Sequence, residues 1–168
     1  LTLDEGALNT NGYSLDVRRF YSRSSSHRSL TLGSSTVTTH YSSCCSGYGC
    51  NSSTQTVWDI DGVNFTLDAG TSLIRISGGG CRYFYGGGLD YYDVETELGS
   101  WVRLSENNSF HNVVGNTTLY INGSGLINTA VFKGTGSISG TRTVGSVLFE
   151  VDGGSLTGPL DIGNAEFM

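Results

Sequence analysis

VNFTLDAGTSLIRISGGGCRYFYGGGLDYYDVETEL, from Val63 to Leu98, is a succession of short apolar runs and glycine turns with no room for a helix. Phe65-Thr66-Leu67 precedes Asp68-Ala69-Gly70, a second alternating run follows the turn, and Gly78-Gly79-Gly80 is a glycine turn. Tyr83-Phe84-Tyr85 then leads through Gly86-Gly87-Gly88 into a third run. Alternation at period two marks strands with one face inward and one outward. The opening has looser relatives, Leu1-Thr2-Leu3 before Asp4-Glu5-Gly6 and Leu30-Thr31-Leu32 before Gly33-Ser34-Ser35. If these are equivalent rungs, the protein is a stack of similar β-coils with its function on the surface.

The rhythm continues in both directions. Upstream, Leu1–Leu3, Tyr13–Val17, Phe20–Tyr21, Ser29–Leu32 and Thr36–Thr39 read as short strands. Asn9-Thr10-Asn11-Gly12 is a tight turn, since Asn-Gly tolerates the positive φ angles that such turns need. Downstream, apolar runs from Trp101 to Ile162 are separated mostly by turns containing glycine. Strands of about four residues, with a turn every five to ten, suit a β-solenoid better than a sandwich. Residues 41–56, YSSCCSGYGCNSSTQT, break the rhythm and read as a loop extruded from the stack, a common place for binding.

Glycine supplies 25 of 168 residues and Ser plus Thr 41, while only 14% are charged. With plentiful β-branched and aromatic residues this is not a disordered composition; it fits an all-β extracellular or virion protein. A net charge of −6 argues against nucleic-acid binding, which needs a basic surface. Arg18, Arg19, Arg23 and Arg28 gather beside His27, either as a local basic face or, more simply, as solvated turn residues paired with carboxylates. No stretch is long and apolar enough for a helical membrane span. With no signal peptide and Leu1 first, the chain reads as processed or as a segment of something longer.

Cys44, Cys45, Cys50 and Cys81 form an even set. Adjacent Cys44 and Cys45 rarely bridge each other, because the geometry is strained. Two disulfides, each of them taking Cys50 or Cys81, would pin the loop and place the protein outside a reducing cytosol. Free buried thiols are one alternative. A four-cysteine zinc site is another, although Cys81 lacks a knuckle partner.

A family likeness follows from Phe65-Thr66-Leu67, A-G-T-S-x-I-x-I-S-G over Ala69 to Gly78, and Gly86 to Leu89 with Tyr91 and Val94. N-N-S-F-x-N-V-V over Asn107 to Val114 belongs to it too, and Gly12 to Phe20 and Arg28 to Val37 match more loosely. The pattern resembles the Gly/Ser/Thr-rich right-handed parallel β-helix segments of phage tail and other virion proteins, and of bacterial surface and adhesin-like proteins. It covers about two-thirds of the chain and is architectural in kind. The Cys-rich loop and the arginine cluster lie outside it.

The expected fold is all-β: one domain over residues 1–168, a right-handed parallel β-helix (β-solenoid) with one protruding Cys-rich loop and about five to seven coils. A β-sandwich is the alternative. Open solenoid ends expose strand edges, which implies a homo-oligomer such as a trimeric fibre or an end-to-end filament.

Candidate chemistry is sparse. Asp90, Asp93, Glu95 and Glu97 are the carboxylate cluster open to a polysaccharide-cleaving enzyme; on a strand Asp93, Glu95 and Glu97 share one face, neighbours two apart lying about 6.5 to 7 Å from each other. Val94, Thr96 and Leu98 would then face inward, and ordinary solvent-facing alternation gives the same pattern. Calcium would find oxygens at Asp59 to Gly62 or Asp90 to Asp93, though neither matches a full calcium loop; no other cofactor or metal is implied. None of His27, His40 and His111 comes with a nucleophile elbow, and the glycine triplets lack the Lys-Ser/Thr of a phosphate loop, reading instead as corners. Tyr83, Tyr85, Tyr91 and Tyr92 are candidate binding residues, able to stack on cell-surface carbohydrate or to anchor a protein partner, with Phe84 buried between them. Five N-x-S/T sequons stand at Asn51, Asn64, Asn107, Asn116 and Asn122, against about three expected by chance. Asn107, Asn108, Asn112, Asn116 and Asn122 would form an amide ladder if they recurred at one corner.

The expectation for function is a structural and adhesive module, extracellular or on a cell surface or virion: part of a phage tail fibre or other virion appendage, or a bacterial surface filament subunit. A depolymerase-like enzyme acting through the 90–97 carboxylates is the second reading, and a strand-donating, pilin-like sandwich the third.

Overall fold

The computed structural model describes residues 1–40, 55–97 and 100–168, and every regular element in them is a strand. The chain winds in coils. The first passes through β1 (Gly6–Asn9), β2 (Leu15–Val17) and β3 (Phe20–Ser22). The second repeats the circuit as β4 (Arg28–Thr31), β5 (Thr36–Thr39) and β6 (Thr56–Ile60), and the third as β7 (Phe65–Asp68), β8 (Leu73–Ile76) and β9 (Gly80–Tyr85). Later coils have two strands each. They are β10 (Asp90–Thr96) with β11 (Ser100–Ser105), β12 (Ser109–Gly115) with β13 (Thr118–Ile121), and β14 (Gly125–Phe132) with β15 (Gly136–Ser139). β16 (Arg142–Phe149) with β17 (Gly154–Thr157) follows, and β18 (Leu160–Phe167) opens an eighth turn.

Equivalent strands pair in parallel. The first sheet is β1-β4-β7; the second has eight strands, β2-β5-β8-β10-β12-β14-β16-β18; the third has seven, β3-β6-β9-β11-β13-β15-β17. The fold is a parallel β-helix, as the sequence implies. It has eight turns rather than five to seven, because the later coils dispense with a side and use fewer residues: 22 separate Gly6 from its rung partner Arg28, but 17 separate Gly125 from Arg142. All pairings among the described strands are parallel, which removes the β-sandwich and the pilin-like reading that rested on it. At about 4.8 Å per rung the stack is about 34 Å tall.

Stacking sets like upon like. From the third sheet Phe20, Trp58, Phe84, Leu104, Ile121 and Ile138 form one buried column. From the second, Val37, Ile74, Val94, Val113, Ala130 and Val147 form another. Phe132, Phe149 and Phe167 stack at 4.7 and 4.9 Å. Val94 and Thr96 face in while Asp93, Glu95 and Glu97 face out, as alternation predicts; Leu98 lies outside the described residues.

Core bulk accounts for the change of cross-section. The first three coils enclose Phe20, Trp58, Phe65, Phe84, Leu30 and Leu32 and need three walls. Above them, columns mainly of Val, Ala, Ile and Leu, with Tyr91 over Phe110 in one and Phe132 over Phe149 in another, fit between two. Gly86-Gly87-Gly88 makes the switch. With φ of 69° at Gly87 and 72° at Gly88, the chain crosses straight from the third sheet to the second, passing so close to Gly62 that a Cβ there would stand 2.1 Å from Gly87 O.

Corners hold the register. Asn11, Gly33 and Gly70, with φ of 53°, 57° and 55°, follow the first sheet in successive coils. Leu30 pairs with Leu67, each three residues before its left-handed residue. The turn, and not the L-T-L likeness, therefore sets the alignment, and Gly6–Asn9 rather than Leu1–Leu3 is the rung beneath Arg28–Thr31. Arg28 is likewise no solvated turn residue. It is buried, and its guanidinium donates to Ser22 O, Ser26 O, Asp61 O and Val63 O. Higher up, buried Arg142 donates to Glu106 O, Asn108 O and Asn122 O. Corners leave carbonyls unpaired by the ladders, and a planar five-donor group collects several at once.

Gly140 and Gly88 separate two contributions to corner stability. Both have positive φ, but a Cβ on Gly140 would lie 2.2 Å from Gly123 O, whereas Gly88 has open space. Gly88→Ala is expected to cost about 1 kcal/mol and Gly140→Ala about 2–4 kcal/mol, read from urea denaturation midpoints.

Candidate functional site

The outward side of the third sheet changes character along the rod. On its upper rungs it carries Ser137, Ser139, Ser155 and Thr157. On β9, β11 and β13 it carries Tyr83, Tyr85, Trp101, Arg103 and Tyr120, all half-buried. Alternation places them there, because Phe84, Val102, Leu104, Leu119 and Ile121 between them face the core. Register aligns Tyr83, Arg103 and Tyr120 in one column and Cys81, Trp101 and Thr118 in the next.

The rings touch. Tyr83 and Tyr85 lie nearly parallel with centroids 6.1 Å apart. Trp101 meets Tyr83 edge-on at 5.9 Å and Tyr120 at 5.1 Å. The Arg103 guanidinium sits 5.0 Å from the Trp101 ring and 6.0 Å from that of Tyr83, within cation–π range. The result is a continuous aromatic platform over three rungs with one cation in it. Tyr83 and Tyr85 are legible from the sequence. Trp101, Arg103 and Tyr120 are not, since only stacking brings residues 17 to 20 apart into one patch.

Tyr91 and Tyr92 do not belong to this patch. Tyr91 faces the core at 4% exposure, where its hydroxyl accepts from Trp58 Nε1 at 3.1 Å and donates to Gly86 O at 2.8 Å. A surface role for it is thus corrected: it fills the interior at the change of cross-section and satisfies the carbonyl that the glycine crossing leaves over. Tyr92 points outward from the second sheet, stacked on His111 at 4.2 Å.

The carboxylate row is a set of ties between rungs. Asp93 accepts from Asn112 Nδ2 at 2.9 Å, with His111 Nδ1 at 3.1 Å. Glu95 accepts from Asn116 Nδ2 at 3.0 Å and from Arg75 at 3.3 Å, and Glu97 lies 3.8 Å from Arg75. Asp90 is exposed on the same strand. The partners that approach Asp93 and Glu95 are amides, an arginine and a histidine. Such exposed pairs add little stability but fix side-chain positions.

A second feature lies where the first sheet ends. A cleft of about 530 Å³ is lined by Arg23, Asp61, Val63, Gly87, Glu106 and Asn107, among others. Glu106, at a left-handed φ of 76°, accepts the Gly87 N–H. Burial pushes its carboxyl above the usual range, the Gly87 bond and Arg23 oppose this, and Asp59 and Asp61 reinforce it. Nothing local in the sequence marks Glu106 out.

Other expected residues fall variously. Cys44, Cys45, Cys50 and Asn51 lie outside the described residues, and Cys81 is half-buried at the start of β9. Asn64 and Asn107 stand on exposed turns, while Asn116 and Asn122 are half-buried. The asparagines form no amide ladder: Asn107 accepts from Ser124 N–H, Asn122 from Ser139, and buried Asn108 accepts from the Gly88 and Leu89 N–H groups. Among the described residues no three His, Cys, Asp or Glu side chains gather as metal ligands would. Asp59 pairs with Arg23, and Asp61 accepts the Val63 N–H.

Tyr91 and Arg142 make the fold respond to alkali in opposite directions. Burial raises the Tyr91 hydroxyl far above its ordinary value, so the folded chain keeps a proton that the unfolded chain loses near pH 10. That contribution is whole below about pH 10 and drains away as the pH rises. Burial lowers Arg142 to about 10, so there the folded state sheds its proton first and alkali favours folding. Tyr91→Phe should lose about 1 kcal/mol at pH 8 with the Trp58 hydrogen bond. Its deficit against wild type should shrink above about pH 10, vanish near pH 11 and reverse beyond it, as followed by circular dichroism in urea.

No protein-family model matches the chain, and neither a curated protein nor a solved structure is found to match it.

Proposed function

We propose that this rod is a structural and adhesive module of an extracellular assembly, a phage tail fibre or other virion appendage or a bacterial surface filament, and that it presents the aromatic face of its third sheet to cell-surface carbohydrate. The observation that carries the reading is the platform of Tyr83, Tyr85, Trp101 and Tyr120 around Arg103. Rings held on a stiff sheet lose little entropy on binding and offer flat apolar faces to the C–H side of a sugar, while a guanidinium donates to hydroxyls or acidic substituents.

The depolymerase reading draws less support, since Asp93 and Glu95 are engaged by neighbours between rungs. Wild-type protein on an array of bacterial surface polysaccharides, with tryptophan fluorescence as the solution readout, tests the proposal. Buried Trp58 should be insensitive to ligand and half-buried Trp101 should respond. Trp101→Ala with Tyr120→Ala should weaken binding by at least about tenfold, at about 1–3 kcal/mol for lost stacking. Failure to retain any glycan would end the adhesive reading. Release of reducing sugar by wild type, lost in Asp93→Asn with Glu95→Gln, would put the enzyme in its place.

A further inference from the structure

We infer that the free edge of β7 is a strand-accepting site for an extended, basic segment of a partner polypeptide. Among the described residues the second and third sheets continue above the third coil, but the first stops at β7. Residues along a parallel strand alternate in the side to which both N–H and C=O point. Arg28 N–H donates to Asn64 O and Leu32 N–H to Asp68 O, so residues 64, 66 and 68 serve β4. Phe65 C=O and both backbone groups of Leu67 therefore face the open side.

Side chains tell the same story. In the column Leu8, Leu30, Leu67, the middle leucine is 1% exposed beneath Leu67, and Leu67 itself is half-buried with no rung above. An added strand would bond three backbone groups and set an apolar residue over Leu67, continuing a sheet that already exists. At the start of β7 it would enter the cleft beside Val63, which is 64% exposed. Charge selects the occupant. Asp61 and Glu106 line the cleft and Asp68 stands exposed at the far end of the edge, while Arg23 is engaged by Asp59. The complementary segment carries Lys or Arg on the cleft side of a β-branched, alternating run. The inference concerns a different surface from the aromatic platform and does not rest on it.

The test uses three synthetic peptides: Lys-Lys-Thr-Val-Thr-Val-Thr, the same with both lysines replaced by glutamate, and the same with proline in place of the first valine. The lysine peptide should bind saturably and protect the Leu67 amide from hydrogen exchange. The glutamate peptide should bind at least about tenfold more weakly and the proline peptide not at all. Leu67→Pro removes an N–H that the β4 ladder does not use, so the variant should melt near wild type yet lose the peptide. Asp61→Asn with Glu106→Gln should weaken the lysine peptide and flatten its salt dependence. No saturable binding of the lysine peptide at millimolar concentration, equal binding of the glutamate peptide, or undiminished binding to folded Leu67→Pro would each overturn the inference. Should Leu67→Pro unfold, the three peptides on wild type decide it.

Discussion

Parallel hydrogen bonding from each coil to the next is the constraint on which everything else in this molecule depends. A strand that pairs in register with its equivalents above and below must offer, position by position, a side chain compatible with the column it joins. Apolar columns such as Phe20 to Ile138 and Val37 to Val147 follow from this. So does the recurrence of left-handed residues at corners, and at Gly70, Gly123 and Gly140 the backbone turns so close to a carbonyl of another coil that a Cβ would collide. Function inherits the same geometry: residues far apart in sequence, Tyr83, Arg103 and Tyr120, become neighbours because they share a column.

The constraint also shows why the rod is not uniform. A three-walled coil has an interior wide enough for Trp58 between Phe20 and Phe84, and the two-walled coils do not. At the transition the buried polar groups are organised rather than excluded. Tyr91 joins Trp58 to the Gly86 carbonyl, Asn108 receives the amides of Gly88 and Leu89, and Arg142 reaches the carbonyls of Glu106 and Asn108. Each group would be costly to bury alone, and together they complete the bonds that the crossing interrupts. The edge of β7 and the cleft at Glu106 are what the crossing leaves uncovered.

Whatever depends on local periodicity was legible in the sequence. Alternation placed Phe84, Val94 and Thr96 inside and the 93–97 carboxylates outside, and the glycine triplets marked corners. Whatever depends on register was not. Leu1–Leu3 resembled the Phe65–Leu67 rung in composition, yet Gly6–Asn9 occupies the equivalent place, because the left-handed residue and not the leucine pair sets the alignment. Arg28 and Tyr91 looked like surface residues because a guanidinium and a phenol are usually wet. Both are buried where corner carbonyls need donors, a demand visible only after the coils are stacked. Trp101 and Tyr120 escaped the binding patch, and Glu106 the cleft, for the same reason.

The ladders run along the rod axis, and this has a mechanical consequence. Tension along that axis loads successive rungs in series, so coils would peel one at a time, those with two ladders before those with three. Each peeled coil of 17 residues would lengthen the tether by about 50–60 Å, with no rung failing before its predecessor. In the three-walled base each coil carries a third ladder and a bulkier core, so resistance rises as extension proceeds. A rod of this construction yields gradually under a pull from its narrow end and stiffens toward its broad one.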